Sequence, residues 1–409
     1  MLKEIWRDDE IWALAVAETI VWAGTYYIFA ALISHWEADL GWTKTELAIG
    51  FTSGLIISGL LAPVVGRLID RGFGRQVLIG GAALGGCALL LMAQVEHQWQ
   101  FVSVWVLIGV SAASCYYEPC FSYITHTRGL NAKGAITLVT LVAGFAGTLA
   151  YPTANVLAEM YSWHVATNFF AVLILSVAVP LFYWGTRSAK SRSAAQSQNP
   201  ATASTNYSVN KLAVSSAIRR SIFWLTTASF ALIMLNHNSV LTYFLPIMDD
   251  RKLPLDVAVL AVSLIGPMQV IGRIAMVLTE QWMSVMATSC LSFSCLIISS
   301  LCLLLGGDNL VAIFSFVVFQ GIGIGVFSIL RPLVIAHLFG YQGFGAISGI
   351  VASVTQISMA FAPTLAAAIW LLDGSDTVVL SITIMAIVST ILIYFISWSS
   401  KDTSAKKTA

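Results

Sequence analysis

A few ionisable side chains in this sequence lie deep inside apolar runs, and they are where chemistry is expected. Glu118 follows Tyr116 and Tyr117 and precedes Pro119 in an apolar segment spanning about 101–123. A carboxylate at that depth in a membrane costs about 2.5–3.5 kcal/mol on insertion scales, so it is expected to face a wet cavity or an opposite charge. Arg331, just before Pro332 in the apolar run 310–337, offers that charge, and the two are expected to face each other. Glu18 and Arg273 are the other acid and base placed this way. A guanidinium is a permanently charged fork that matches a carboxylate through two hydrogen bonds. A carboxyl caught between desolvation, which favours its neutral form, and an arginine, which favours the charged form, can take up and release a proton. The four residues therefore read as an anion site beside proton carriers, Glu118 and Glu18. The structural alternatives are arginines that snorkel to the headgroups, a permanent Glu118 ion pair and a Glu18 near the interface. His237, between Asn236 and Asn238, is either a group titrating near neutral pH or a hydrogen-bonded core histidine. Tyr26, Tyr27, Tyr116 and Tyr117 carry hydroxyls that need partners, which makes them cavity candidates.

These groups must be positioned by membrane-spanning elements. The 409 residues are 58% hydrophobic and only 10% charged, with a mean hydropathy of +0.83, whereas a soluble domain carries about 25% charged residues. The net charge of +1 argues against nucleic acid as a partner. The six cysteines all lie in apolar segments, without a CxxC pair or a histidine at ligand spacing, and read as small core residues. Residues 1–10 are charged and lack a signal-peptide pattern, so the first apolar run is expected to be retained as a helix.

Apolar runs of about 20 residues predict twelve spans, at 11–36, 45–66, 76–94, 101–125, 134–158, 164–185, 221–247, 255–278, 283–305, 310–337, 344–372 and 377–398. Spans that long must satisfy their backbone hydrogen bonds internally, so they are expected to be helices. With the N-terminus inside, 16 of the 21 lysines and arginines fall on inside segments and only Lys44, Arg251 and Lys252 outside. That bias predicts a multi-pass protein of the plasma membrane (the inner membrane in a bacterium) with both termini cytoplasmic. Trp12, Trp36, Trp42, Trp99, Trp163 and Trp398 fall near predicted surfaces and read as belt residues.

The halves repeat. Gly134-Ala135-Ile136 recurs as Gly345-Ala346-Ile347, Pro152 as Pro363 and His126 as His337, all at an offset of 211, and Glu118-Pro119 and Arg331-Pro332 differ by 213. A repeat with the same helix order is related by an axis along the membrane normal. The expected organisation is an N-terminal six-helix bundle (1–185), a cytoplasmic linker (186–220), a C-terminal six-helix bundle (221–398) and a cytoplasmic tail (399–409). The linker is rich in Ser, Ala, Asn and Gln, has six basic and no acidic residues, and reads as flexible.

Gly66-Arg67-Leu68-Ile69-Asp70-Arg71-Gly72-Phe73-Gly74-Arg75 resembles the loop between helices two and three of the major facilitator superfamily, usually Gly-x-x-x-Asp-Arg-x-Gly-Arg; here the later glycine is displaced to 72 and 74. In the second half Glu280 stands for Asp70, and Met276 replaces the glycine. The resemblance covers essentially the whole chain. It implies an all-α membrane fold of twelve transmembrane helices in two pseudo-symmetric six-helix bundles, and a switch loop in which Gly66, Asp70, Arg71 and Arg75 tie helix ends in one state and release them in another. Asp39-Leu40-Gly41-Trp42, residues 61–66, Arg128-Gly129 and Gly272-Arg273 resemble the monocarboxylate and oxalate/formate porter branch. In that branch the arginine matched by Arg273 binds the substrate carboxylate; its aspartate partner is matched by Gln269, and the helix-one lysine by Tyr27. The resemblance also implies that helices one, four, seven and ten line a central cavity.

The expectation is a secondary transporter working by alternating access, moving a small organic anion such as a monocarboxylate with a proton. Substrate would meet Arg273, Arg331, Tyr27, Tyr117, Gln269, His237 and Asn238, and Glu118 or Glu18 would carry the proton. A proton-driven exporter of amphiphilic or drug-like compounds is the alternative, and a transporter-like receptor a third. No nucleophile–base pair, phosphate loop or metal-ligand cluster is apparent, so neither enzyme chemistry nor a cofactor is expected. The expected partners are a small-molecule substrate, a proton and the lipid bilayer, and the expected state is a monomer.

Overall fold

In the computed structural model the described residues are 8–129, 132–187, 200–279 and 281–408. Lys3, Arg7, Lys190, Arg192 and Glu280 lie outside them, as do the side chains of Lys211, Lys401, Lys406 and Lys407. Every regular element among the described residues is a helix. Ten helical runs among the described residues are long and apolar enough to cross a membrane. Two are of double length and are broken where the backbone turns: Lys44–Met92 at Gly72 (φ 93°) and Phe344–Ser399 at Asp373 (φ −159°) and Gly374 (φ 76°). Eight single and two double runs make the twelve spans expected from hydropathy.

Local chemistry sets the ends. The first span (Asp9–Leu40) stops at Gly41, whose φ of 70° turns the chain and whose N–H closes on Glu37. Thr43 and Glu46 then form a reciprocal capping box that starts the second (Lys44–Leu68). The third is Gly74–Met92. The fourth (Gln98–Arg128) is interrupted at Tyr116, where φ −82° and ψ −168° are extended. Pro119 accounts for the interruption: without an N–H it cannot bond the Cys115 carbonyl, and its ring excludes that carbonyl from helical register. The tenth (Leu310–Phe339) runs through Pro332 without such an interruption, so the two glutamate/arginine–proline pairs are not structurally equivalent. The linker also departs from expectation, because Pro200–Arg219 is helical. Proline suits a helix start, and midway along the helix Asn210 Oδ1 accepts from the Gly343 N–H at 3.1 Å.

The helices gather in two units, residues 1–216 with 339–353, and 217–338 with 354–409. In the first unit, helices two and four cross closely because Gly50 and Gly54 lie against Trp105 and Gly109 against Gly54. Trp36 and Trp163 are 1% and 4% exposed. They are core residues, not belt residues: Trp36 packs edge-on to Phe101 and Trp105, and the Trp163 indole donates to Asp39 at 2.7 Å. Trp99 and Trp398 are exposed, as expected. In the second unit, the eighth span (Asp256–Thr279) and the tenth meet along small residues, Gly321 and Gly325 against Met268 and Gln269, and Gly272 against Ile322.

Candidate functional site

In the first unit the site centres on Glu18. It is fully buried, and neither carboxylate oxygen has a hydrogen-bond partner. The Cys120 thiol and the Trp22 indole face it without closing to bonding geometry, and Cys115 and Tyr116 lie alongside. No basic side chain faces it among the described residues. Trp22 is one helical turn beyond Glu18, and its ring stacks on Tyr116 (centroids 4.4 Å apart) and lies 4.7 Å from Tyr117 and 5.0 Å from Tyr26. The aromatic group is shaped by two backbone irregularities, a π turn at Ala23–Tyr27 and the interruption at Tyr116. The π turn offsets Tyr26 and Tyr27, whose rings meet edge-on at 5.2 Å, and it places the Thr25 hydroxyl 2.8 Å from that of Tyr116. Gly147 leaves the room that the Tyr27 ring fills. Tyr27, Tyr117 and Glu118 are half-buried, Glu118 in the first turn of the resumed helix, where the dipole favours a carboxylate.

In the second unit Arg273 is 6% exposed. Its Nε donates to Ser328 Oγ at 3.2 Å, and Ser328 donates to Gly325 O at 2.7 Å. No carboxylate pairs with it among the described residues, which leaves the outer fork unoccupied by protein. The small-residue seam that joins helices eight and ten also sets Arg273 beside Ser328, three residues beyond Gly325. Gln269, one turn before Arg273, is half-buried, and its backbone abuts Gly325. Arg331 is half-buried and belongs to the second unit, whereas Glu118 belongs to the first.

His237 sits in a buried polar cluster on the seventh (Ser221–Asp250), ninth (Val285–Leu305), tenth and twelfth spans. Gln320 Nε2 lies 3.3 Å from His237 Nδ1 and donates to Asn236 Oδ1, while Ser299 donates to Gln320 Oε1 at 2.9 Å. Asn236 Nδ2 donates to Ser300 Oγ and Ile382 O. Asn238 bonds back to its own helix at Met234 O. The histidine is therefore hydrogen-bonded within the helix core, and Asn238 is satisfied locally.

At the connector 69–73, Asp70 accepts the N–H groups of Gly345 (2.9 Å) and Ala346 (2.8 Å) at the start of the eleventh span. Gly66 and Gly345 touch backbone to backbone, which any side chain at either position would prevent. Arg71 is exposed, and Arg75 lies over the Tyr183 ring at 4.3 Å. At the start of the first span, Arg128 pairs with Asp8 (2.7 Å) and Glu10 (3.0 Å), and Arg187 also reaches Glu10 (3.3 Å).

Sequence reasoning picked out Glu18 and Arg273 as charges in apolar runs. It missed Trp22, Thr25, Cys120 and Ser328, whose types are ordinary in membrane helices. The one signal for Trp22 was its i+4 spacing from Glu18, and for Ser328 its place beyond the glycine seam.

The Major Facilitator Superfamily matches residues 14–288. Over 155 residues the chain is 25% identical to the fujikurins efflux protein of Gibberella fujikuroi, covering 37% of this chain and 32% of that protein. Over 157 residues it is 30% identical to an uncharacterised MFS-type transporter of Mycobacterium tuberculosis, covering 34% of this chain and 26% of that protein. The matches thus span about a third and a quarter of these curated relatives. With the family match running over most of a twelve-span helical chain, the protein belongs to the major facilitator superfamily of membrane transporters.

Proposed function

We propose that the protein moves a small organic anion, of the monocarboxylate class, together with a proton by alternating access. The observation that carries this reading is Arg273: a buried guanidinium anchored through Nε by Ser328, with no acid beside it among the described residues. A charge withdrawn from water needs a counter-ion or a strong set of hydrogen bonds. A carboxylate arriving as cargo supplies both. Glu18 is the complementary half, since a sealed carboxyl without a neighbouring cation is less costly to bury with its proton than without it. An anion and a proton carried together cross the bilayer without net charge. Arg331, Tyr27, Tyr117 and Gln269 are the further substrate-facing candidates, with Glu118 a second proton carrier; His237 is spoken for by its bond to Gln320. The excess of Lys and Arg on one set of segments supports a plasma-membrane protein with cytoplasmic termini.

The test is counterflow of a labelled monocarboxylate in proteoliposomes. Arg273→Ala is expected to abolish exchange. Glu18→Gln is expected to retain exchange and lose accumulation driven by a pH gradient. Full exchange by Arg273→Ala would remove the anion site. A second reading, export of amphiphilic compounds, is supported by the half-buried rings of Tyr26, Tyr27 and Tyr117 about Trp22 and by the efflux function in the name of the Gibberella relative. A deletion strain with altered drug susceptibility and unchanged growth on organic acids would favour it.

A further inference from the structure

Glu18 is fully buried, and beside it the Trp22 ring stacks on Tyr116. Thr25 holds that stack in place. The Thr25 hydroxyl donates to its own helix at Val21 O, so it is the acceptor in the 2.8 Å contact with Tyr116, and the Tyr116 hydroxyl donates. That single hydrogen bond joins two places where the backbone departs from α-helix, since Thr25 lies inside the π turn of helix one and Tyr116 is the interruption of helix four. π turns and proline-linked breaks are where helices bend and change register. A purely packed core has no need of two such irregularities back to back at an unsatisfied carboxyl.

We propose that the Thr25–Tyr116 hydrogen bond latches an aromatic door over Glu18, and that swinging Tyr116 about the helix-four break admits water to the carboxyl. Thr25 and Tyr116 are positioning residues that act through Glu18. The groups facing Glu18 are Trp22 from helix one and Cys115, Tyr116 and Cys120 from helix four; among the described residues none of them is basic. With the door shut, the proton has no acceptor outside the chamber. With it open, water takes the proton and Glu18 is left as the carboxylate.

The inference rests on the reading of Glu18 as a proton carrier, but the door can be tested separately, because Cys120 is buried in the same chamber and reports on access. In the full-length protein with Cys87, Cys115, Cys290, Cys295 and Cys302 replaced by alanine, the rate of Cys120 modification by N-ethylmaleimide is followed by mass spectrometry in proteoliposomes. Thr25→Val, which keeps shape and removes the latch, is expected to speed modification at least tenfold; Thr25→Ser, which keeps the hydroxyl, is expected to restore the slow rate. Tyr116→Phe removes the same bond from the other side and repeats the test if Thr25→Val does not fold. Both latch variants should also leak protons down an imposed pH gradient without substrate, and this leak should vanish when Glu18→Gln is added. Unchanged Cys120 modification in folded Thr25→Val and Tyr116→Phe would overturn the door. Faster modification with a leak that persists in Glu18→Gln would leave the door standing and reject Glu18 as the carrier.

Discussion

Arg273 and Ser328 show why a lysine would not serve in the same place. Ser328 occupies Nε, so that the two terminal nitrogens of the planar fork remain for the carboxylate of the proposed anion site. An ammonium keeps the charge but offers no fork. Losing one charge-assisted hydrogen bond of about 1.5–3 kcal/mol predicts that Arg273→Lys raises the half-saturating substrate concentration by about 10- to 100-fold, since roughly 1.4 kcal/mol corresponds to a factor of ten. Initial uptake rates against concentration measure this. The maximal rate should change less than the half-saturating concentration, because the charge is retained. Ser328→Ala is the companion variant, which frees Nε to compete for the anion and misdirects the fork. At this scale the sequence was informative where a residue type was out of place. Glu18 and Arg273 were visible because charge is rare in apolar runs, whereas Thr25, Trp22 and Ser328 became visible only once their neighbours across the helix interfaces were known.

Elements carry the contrast between the two halves. The same residue type, proline, interrupts the fourth span and leaves the tenth continuous. Residues spaced as a repeat thus predicted like helices but not like breaks, because tertiary contacts decide whether a proline is absorbed by bending or by an open turn. The extended backbone at Tyr116 is fixed by the ring's stack on Trp22 and its bond to Thr25. Pro119→Ala restores the missing donor to the Cys115 carbonyl and removes the ring that displaced it. The expected outcome is unchanged or higher thermal stability with a reduced transport rate, as a straightened helix draws Tyr116 off Trp22. Differential scanning fluorimetry beside uptake would show the two quantities diverging. At the 69–73 connector the element logic is capping. Asp70→Ala leaves the N–H groups of Gly345 and Ala346 without their acceptor, and loss of such a cap costs about 1 kcal/mol. Asp70→Asn, with one acceptor oxygen, should lose less. The resemblance of the loop pointed to helix ends as its partners, but the particular N–H groups became legible only in three dimensions.

For the molecule as a whole, the ten helical runs among the described residues must be reconciled with twelve crossings. A helix of 49 residues would be about 74 Å long at 1.5 Å per residue, more than twice the roughly 30 Å hydrocarbon core, so Lys44–Met92 cannot be a single span. Gly72 at φ 93° is where it folds back, in a conformation that glycine adopts freely. The same argument divides Phe344–Ser399 at Gly374. Hydropathy had already separated both pairs, because polar residues and glycines interrupt the apolar pattern even where helical hydrogen bonding continues. Two consequences follow for sidedness. An even number of crossings puts the two ends of the chain on one face, and the distribution of lysine and arginine predicts that this face is cytoplasmic. A reporter active only in the cytoplasm should therefore be active when fused after Gly72 and at the C-terminus, and silent when fused after Gly374. Activity after Gly374 equal to that at the C-terminus would mean that the last run does not cross twice, and the charge-based orientation would have to be reassigned for every segment beyond the linker.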